Sequence, residues 1–172
     1  MERTLIIFKP DAVQRGIVGE VLTRFERAGL KIVGMKMLNP DREHYHHHYE
    51  TIGTMVSRHG QEIFDNTVDM MQAGPVIAAV LEGIESVELV RKMVGSTEPK
   101  GAAPGTIRGD YAHMSYGHGD GEGIGIVNIL HASGDPKEAK EEIAHWFSEA
   151  ELFEYEAPHE AFTQRRKKHT QN

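Results

Sequence analysis

The stretch Thr4-Leu5-Ile6-Ile7-Phe8-Lys9-Pro10-Asp11 is a short apolar run, rich in β-branched residues, that ends at a proline. Such a run predicts a strand buried inside a sheet, followed by a turn. Apolar residues then recur at helical spacing up to Gly29, which is typical of a helix stop; they are Val18, Val21, Leu22 and Phe25. The fold is therefore built outward from a buried strand followed by a helix.

Further elements follow from the same patterns. Residues 30–38 alternate apolar with polar and predict a second strand, after which Asp41 is an N-cap for a helix through a histidine-rich stretch. The pattern next predicts a helix from Gln61 to Met71, a strand over residues 75–81 and a helix from Val87 to Val94. Residues 95–110 are rich in Gly, Pro, Thr and charge, which predicts a long loop.

The last part of the pattern completes the fold class. Residues 124–130 predict a fourth strand, with residues 111–116 as the other arm of a hairpin and the glycine-rich segment 117–125 as a mobile surface tip rather than a metal site. Asp135-Pro136-Lys137-Glu138 resembles a capping box and predicts the start of a helix. This order of elements favours an α+β, ferredoxin-like sandwich in which helices cover a four-stranded antiparallel sheet.

Composition limits the classes of function. The chain has 172 residues and a formal charge of −7. It contains no cysteine, which excludes disulfides, thiolate metal sites and thiol nucleophiles. The acidic balance argues against nucleic-acid binding, and the apolar runs are too short for a membrane span. We expect a soluble, cytoplasmic protein with one catalytic domain over residues 1–155. Residues 156–172 are expected to be a C-terminal extension with a partly disordered basic tail.

The stretch Asn128-Ile129-Leu130-His131-Ala132-Ser133 carries the most chemical information. It leaves a predicted strand end and enters a capped helix, where free backbone N–H groups attract anions. A lone histidine is usually solvated or structural, but His131 has candidate partners elsewhere in the sequence. They are Lys9 at the first strand end, Arg91 in a helix, and Thr97 and Arg108 in the long loop. A loop cation such as Arg108 is expected to add little to folding.

A series of motifs resembles the nucleoside diphosphate kinase family, with the order and spacing agreeing across most of residues 3–155. The motifs are Lys9-Pro10-Asp11, Gln14-Arg15-Gly16, Gly19-Glu20, Arg24-Phe25-Glu26, Gly74-Pro75-Val76, Pro104-Gly105-Thr106-Ile107-Arg108-Gly109-Asp110 and Asn128-Ile129-Leu130-His131-Ala132-Ser133. The resemblance implies a ping-pong kinase that moves the terminal phosphoryl group of a nucleoside triphosphate onto His131 and then onto a nucleoside diphosphate.

The resemblance also implies a role for each site residue. Glu142 would hold the second ring nitrogen of His131, with Ser133 adding a hydrogen bond. The phosphate and active-site ligands would be Lys9, Tyr49, Arg91, Thr97 and Arg108, and Asn128 would bind the ribose. The nucleobase platform falls on Ile63, or on Phe64 if the alignment shifts by one residue.

Cofactor and partners follow from the same resemblance. Mg²⁺ is expected on the phosphates of the nucleotide, and family members are homo-oligomers, generally hexamers or tetramers. The chain departs from the family at Gly134, where an Asp is usual and an acid is delayed to Asp135. The histidines from His44 to His48 are expected to form a solvated face rather than a metal site. A non-catalytic phosphohistidine carrier and an assembly module with a decayed pocket are the alternative functions.

Overall fold

The sheet forms because four strands pair antiparallel in the order β2-β3-β1-β4. In the computed structural model, which describes residues 1–163, these strands are Glu2–Phe8 (β1), Lys31–Leu38 (β2), Val76–Gly83 (β3) and Leu130–Ala132 (β4). β1 is central, with Phe8 opposite Ile77 of β3 and Leu130 of β4. The ferredoxin-like α+β class predicted from the sequence is confirmed.

Helices cover both faces of the sheet. They are Pro10–Gln14 (α1), Val18–Arg27 (α2), Arg42–His46 (α3), Met55–His59 (α4), Gln61–Met71 (α5), Ser86–Val94 (α6), Ile107–Tyr111 (α7), Tyr116–Glu122 (α8), Pro136–Trp146 (α9) and Glu160–Thr163 (α10). A π-helical segment, His47–Ile52, continues α3, and two short 3₁₀ turns span Pro99–Gly101 and Glu149–Glu151. None of the helices within residues 1–163 is long and apolar enough to cross a membrane.

The two faces of β1 explain why its sequence is apolar throughout. Leu5 and Ile7 belong to one core cluster, together with α5 and α9, whereas Ile6 and Phe8 belong to the other, together with α2 and α6. Successive side chains of a strand point to opposite faces, so a strand covered on both sides needs a continuous apolar run.

The predicted hairpin over residues 111–130 is wrong. Tyr116–Glu122 is a helix, capped by the hydroxyl of Ser115, which accepts a hydrogen bond from the amide of His118, so most of the glycine-rich segment is helical rather than the tip of a hairpin. The fourth strand begins only at Leu130, because Ile129 has φ at 76° and leaves the extended region. Helix propensity is low for glycine, and the Ser115 cap is the local signal that favours a helix here.

Two other boundaries differ from the sequence prediction. The loop predicted over 95–110 is interrupted by the Pro99–Gly101 turn and ends early, because the Thr106 hydroxyl accepts from the amide of Gly109 and caps α7. The described part of the predicted C-terminal extension contains α10. Its predicted disordered tail, residues 164–172, lies outside the described residues, and the domain boundary at residue 155 stays a prediction.

Candidate active site

His131 is fixed at the edge of the sheet by backbone pairing. It is the central residue of β4 and pairs with Ile7 of β1. The amide of Lys9 donates to the carbonyl oxygen of Ile129 over 2.9 Å, which joins the turn before β4 to the end of β1. The left-handed Ile129 is unusual for a β-branched residue, and such strain is concentrated at functional sites. Lys9 and His131, far apart in sequence, therefore line the same cavity.

A buried hydrogen-bond chain holds the imidazole of His131 from behind. Its Nε2 lies 2.8 Å from Oε1 of Glu142, and Ser133 donates its hydroxyl to Oε2 of the same carboxylate over 2.6 Å. The amide of Leu5 in turn donates to the Ser133 oxygen over 3.1 Å. A carboxylate only accepts, so Nε2 of His131 carries the proton and Nδ1 keeps its lone pair. The arrangement leaves one nitrogen of His131 for nucleophilic chemistry.

The side chain of His131 is 20% exposed and faces a cavity of 160 Å³. Most of the residues proposed from the sequence line this cavity: Lys9, Tyr49, Arg91, Thr97, Arg108, Asn128 and His131. Glu142 and Ser133 are not part of this lining; Glu142 is hydrogen-bonded to His131, and Ser133 to Glu142. The remaining lining is largely apolar or backbone, so the cations concentrate positive charge in a small space that suits an anion.

Burial changes the acid–base state of Lys9. Loss of solvent, and secondarily the positive charge of Arg108, lower the pKa of the Lys9 ammonium to about 7, while Asp11 opposes the shift. An amine in this state is only partly protonated at neutral pH. A phosphate in the cavity would raise its pKa again, because the anion stabilises the charged form.

Arg108 is a structural residue as well as a cavity residue, which corrects the expectation of a loop cation that adds little to folding. It lies in the first turn of α7, and its guanidinium donates to the carbonyl oxygens of Asn128, Gly95 and Leu130 at 3.2, 3.1 and 2.7 Å. Burial, with the nearby Arg91, lowers the pKa of Arg108 to about 10. Arg108 therefore stays charged at neutral pH and ties the segment before His131 to α7.

Two buried polar atoms at the cavity have no partner among the described residues. The amide nitrogen of Asn128 donates to the carbonyl oxygen of Thr97 over 2.8 Å, but its Oδ1 accepts nothing. The hydroxyl of Tyr49 is also unpaired, and burial raises its pKa, so it remains a donor. Unpaired buried polar atoms are unfavourable unless a ligand or water satisfies them. Both atoms are available to a bound molecule.

The predicted base platform is not part of this cavity. Phe64 is 2% exposed and packs in the core on the α5 side of the sheet, so its ring is unavailable for stacking, which corrects that assignment. Ile63 is 37% exposed and lies outside the lining. The apolar contacts come from Met55 and Ile126, which the sequence reasoning missed. Ile126 lies two residues before Asn128. Residues at that spacing face the same side of an extended segment, and this was the signal in the sequence that could have identified Ile126.

The histidine-rich stretch is not a uniformly solvated face, and that prediction is wrong for His48. His46 and His47 are exposed, but His48 is 1% exposed and its ring lies 4.5 Å from the ring of His131. His44 is half-buried and stacks on His145 of α9 at 3.9 Å. Burial follows from the π-helical turn, which directs His48 inward beside Tyr49.

His48, His131 and Glu142 approach within 4.8 Å of one another, as metal ligands do. The atoms that face one another are already hydrogen-bonded, however, because Trp146 donates to Nδ1 of His48, while Nε2 of His131 and the hydroxyl of Ser133 bond to the Glu142 carboxylate. The cluster is therefore a hydrogen-bonded network.

Comparison with known proteins identifies the family of this chain. The profile of the family described as nucleoside diphosphate kinase matches residues 2–152. The chain belongs to the nucleoside diphosphate kinase family. It is 48% identical to the nucleoside diphosphate kinase of Pyrococcus furiosus over 90% of this chain and 88% of that protein. It is 43% identical to that of Borreliella burgdorferi over 90% and 92%.

Solved structures of nucleoside diphosphate kinases share the fold. The structure described as a transition state mimic of the Borrelia burgdorferi enzyme with bound vanadate and ADP has a TM-score of 0.90 at 42% identity, covering 94% of this chain and 95% of that one. The Halobacterium salinarum enzyme in complex with CDP has a TM-score of 0.80 at 37% identity, with coverage of 95% and 99%.

The departure from the nucleoside diphosphate kinase pattern at Gly134 has a local explanation. Oε2 of Glu138 accepts from the Gly134 amide at 3.0 Å and occupies the space that a Cβ would need. The delayed acid Asp135 caps α9 by accepting from the amides of Lys137 and Glu138. The Asp135 carboxylate is therefore committed to the helix that carries Glu142.

Proposed function

We propose that this chain is a nucleoside diphosphate kinase that transfers the γ-phosphoryl group of a nucleoside triphosphate to His131 and then to a nucleoside diphosphate. The observation that carries the proposal is the pairing of His131 Nε2 with buried Glu142 at 2.8 Å while the ring lines a cationic cavity. The carboxylate directs the lone pair to Nδ1 and stabilises the positive charge that develops when this nitrogen attacks phosphorus.

The cavity supports the electrostatic part of the reaction. Charge in the transition state spreads over the equatorial oxygens of the phosphoryl group, so fixed donors supply most of the stabilisation. Arg91, Arg108 and Lys9 provide positive charge, and the hydroxyls of Tyr49 and Thr97 provide further donors. Lys9, Tyr49 and Arg108 are buried and are therefore held by packing before any ligand arrives, whereas Arg91 and Thr97 are exposed.

The other end of the nucleotide is assigned by the unpaired groups. Oδ1 of Asn128 would accept from a ribose hydroxyl, which would satisfy a buried acceptor that has no partner among residues 1–163. Met55 and Ile126 would contact the faces of the base in place of Ile63 and Phe64. Apolar contacts do not read the polar edge of a base, so these two residues favour a broad choice of nucleobase.

Mg²⁺ would be carried by the nucleotide. No carboxylate is among the described residues that line the cavity, so the donor set fits phosphate oxygens and leaves the ion to phosphates and water. When bound, Mg²⁺ neutralises charge on the phosphate chain. This chain's own residues hold the oxygens of the transferred group and the nucleophile.

A homo-oligomer, hexamer or tetramer, is part of the proposal. β2 lies at the edge of the sheet, and its Met35 and Met37 side chains are 53% and 58% exposed. An edge strand that displays large apolar groups favours pairing with another chain. The cytoplasmic location and the absence of nucleic-acid and membrane partners stay predictions.

One experiment tests the activity and separates it from the alternatives. The protein is incubated with γ-labelled ATP and Mg²⁺, freed of nucleotide, and then mixed with a nucleoside diphosphate. We expect close to one label per active site, lost in acid but stable in base, and discharged by any nucleoside diphosphate. A non-catalytic carrier or an assembly module would take no label from ATP alone.

Variants make the assignment specific. His131→Gln should take no label and lose at least about 10³-fold in turnover while still binding nucleotide, because the cavity donors remain. His46→Gln, which changes an exposed histidine, is the matched control and should label normally. Acid-labile label on the His131→Gln protein would assign the group to another histidine. Intersecting initial-rate lines with no label on the wild type would mean direct transfer between nucleotides.

A further inference from the structure

A second buried imidazole lies behind His131 and is held by an indole. Nε1 of Trp146 donates to Nδ1 of His48 over 3.2 Å, and both residues are almost fully buried. An indole nitrogen is only a donor, so Nδ1 of His48 must be the acceptor and the neutral ring carries its proton on Nε2. Burial, and then the neighbouring His131, His145, His44 and Lys9, hold the pKa of His48 well below its usual value. The His48 ring is therefore neutral, and the indole of Trp146 determines its tautomer.

This tautomer leaves one buried ring nitrogen of His48 without a hydrogen bond. Its Nε2 has no hydrogen-bond partner among the described residues, although it is buried. Its Nδ1 lies 3.9 Å from Oε1 of Glu142, the same oxygen that accepts from His131. A proton moved from Nε2 to Nδ1 would gain a carboxylate acceptor after a small movement. The Trp146 N–H blocks this exchange, because two donors cannot face each other.

We propose that Trp146 is a positioning residue: its indole N–H keeps His48 in the tautomer that cannot donate to Glu142, so that Oε1 of Glu142 remains committed to His131. The inference rests on the proposed role of His131 as the nucleophile. Without the indole donor, His48 and His131 compete for one oxygen. The orientation and tautomer of His131 are then no longer fixed, and a smaller fraction of the protein is ready for phosphoryl transfer.

The tautomer is measured directly on ¹⁵N-histidine-labelled protein by long-range ¹H–¹⁵N correlation spectra, with the His48→Leu variant identifying the His48 signals. In the wild type, His48 should be protonated on Nε2 with Nδ1 as the acceptor. In Trp146→Phe, which removes the donor but keeps an aromatic ring, the proton should move to Nδ1. A wild-type His48 protonated on Nδ1, or a tautomer unaffected by Trp146→Phe, overturns the proposal.

A double-variant cycle tests the link to His131. Trp146→Phe should slow the phosphorylation burst with ATP by about tenfold, the effect of an ordinary lost hydrogen bond. Adding His48→Leu removes the competing donor, so the Trp146→Phe/His48→Leu protein should phosphorylate faster than Trp146→Phe alone. A merely structural tryptophan gives additive losses in the double variant, and this outcome overturns the proposal.

The control is Phe147→Leu, which changes the neighbouring buried aromatic residue in the same core cluster but no hydrogen bond. It should leave the His48 tautomer unchanged. Circular dichroism establishes whether each variant folds. If Trp146→Phe does not fold, the His48 tautomer of the wild type still tests the proposal. A tautomer that responds while His131→Gln still takes label refutes the proposed nucleophile. A tautomer that stays fixed while His131→Gln takes no label refutes only the role of Trp146.

Discussion

Arg108 donates from its guanidinium to the carbonyl oxygen of Leu130 over 2.7 Å, which ties the cation to the residue directly before His131. The same guanidinium bonds the carbonyl oxygens of Asn128 and Gly95. Since Arg108 also lines the cavity, one side chain holds the backbone beside His131 and places positive charge where we propose that the phosphates bind. Stability and activity should therefore be coupled at this position.

Arg108→Ala is expected to lower the free energy of unfolding by about 2–4 kcal/mol, because it leaves buried carbonyl oxygens without donors. Turnover should fall at least about 100-fold from the added loss of transition-state stabilisation. Urea unfolding and initial rates at saturating nucleotide measure the two effects. Arg91→Ala is the matched control, since Arg91 is exposed and lines the same cavity, and it should lose activity with little change in stability. An Arg108→Ala protein as stable as the wild type would contradict this prediction.

The lowered pKa of Lys9, about 7 against 10.5 for a free lysine, predicts proton uptake on nucleotide binding. Near pH 8 the free amine is mostly neutral, and the phosphates of ADP should return it to the charged form. Calorimetry in two buffers of different ionisation enthalpy should show uptake of a fraction of one proton per site. Lys9→Met should show less, and an equal uptake in both proteins would assign it to another group.

The same shift predicts how stability depends on pH. Between about pH 7 and 10.5, the unfolded chain binds a proton at Lys9 that the folded chain has released. The Lys9 contribution to the free energy of unfolding therefore rises as pH increases through this window. Chemical unfolding of the ligand-free protein at pH 7.5 and pH 9.5 tests the sign. The rise should be smaller in Lys9→Met, and a rise of equal size in that variant would exclude Lys9 as its source.

The sequence predicts the features of this fold that depend on local contacts better than those that depend on contacts between distant segments. The apolar run of β1 predicts its burial because the strand is covered on both faces, and Asp135 predicts the start of α9 because a cap is local. The segment over 124–130 contains strand-forming residues, but the left-handed Ile129 and the Lys9 amide that bonds its carbonyl oxygen fix its path. The periodicity of apolar residues does not predict such long-range contacts.

The site shows the same division. The approach of Glu142 to His131 was implied by family resemblance, since no pattern within the intervening residues predicts it. The burial of His48 depends on a π-helical turn and on Trp146 from α9, neither of which a helical wheel contains. The structural role of Arg108 depends on three backbone oxygens in distant segments. The family resemblance implied which residues the site contains, whereas tertiary contacts determine which of them also hold it together.

Gly125 should tolerate no side chain, because a Cβ there would meet the carbonyl oxygen of Asn66 at 2.6 Å and Cβ of Met70 at 3.1 Å. Gly125→Ala is expected to destabilise the protein by about 1–3 kcal/mol. It should also weaken nucleotide binding, since Thr67 and Ile126 on the cavity wall must move apart. Thermal melting and ADP titration measure these effects.

Gly121→Ala is the matched control for Gly125→Ala. Gly121 lies within α8 and faces open space, so alanine should stabilise the protein by about 0.5–1 kcal/mol through helix propensity. Similar destabilisation by both substitutions would mean that α8 itself, rather than the contact of Gly125 with α5, is sensitive to side-chain volume.

The C-terminal extension is expected to support stability without supporting catalysis. Buried Lys31 lies 3.0 Å from Glu160 in α10 and 2.8 Å from Glu82 in β3. This ion-pair group is at the end of the sheet where Glu2 pairs with Gly83, whereas the site is at the opposite end, beyond the pairing of Phe8 with Ile77. Truncation after Tyr155 removes Glu160 but leaves Glu82, so Lys31 keeps one carboxylate and the loss of stability should be limited to about 1–2 kcal/mol. Turnover at saturating nucleotide should change less than twofold at a temperature where the variant is folded.

A second truncation, after Thr163, is the control because it removes only residues 164–172. The difference in stability between the two truncated proteins is then due to residues 156–163, and Glu160→Gln tests the ion pair alone. If the shorter protein folds but loses turnover, residues 156–163 contribute to the site and the domain boundary at 155 is wrong.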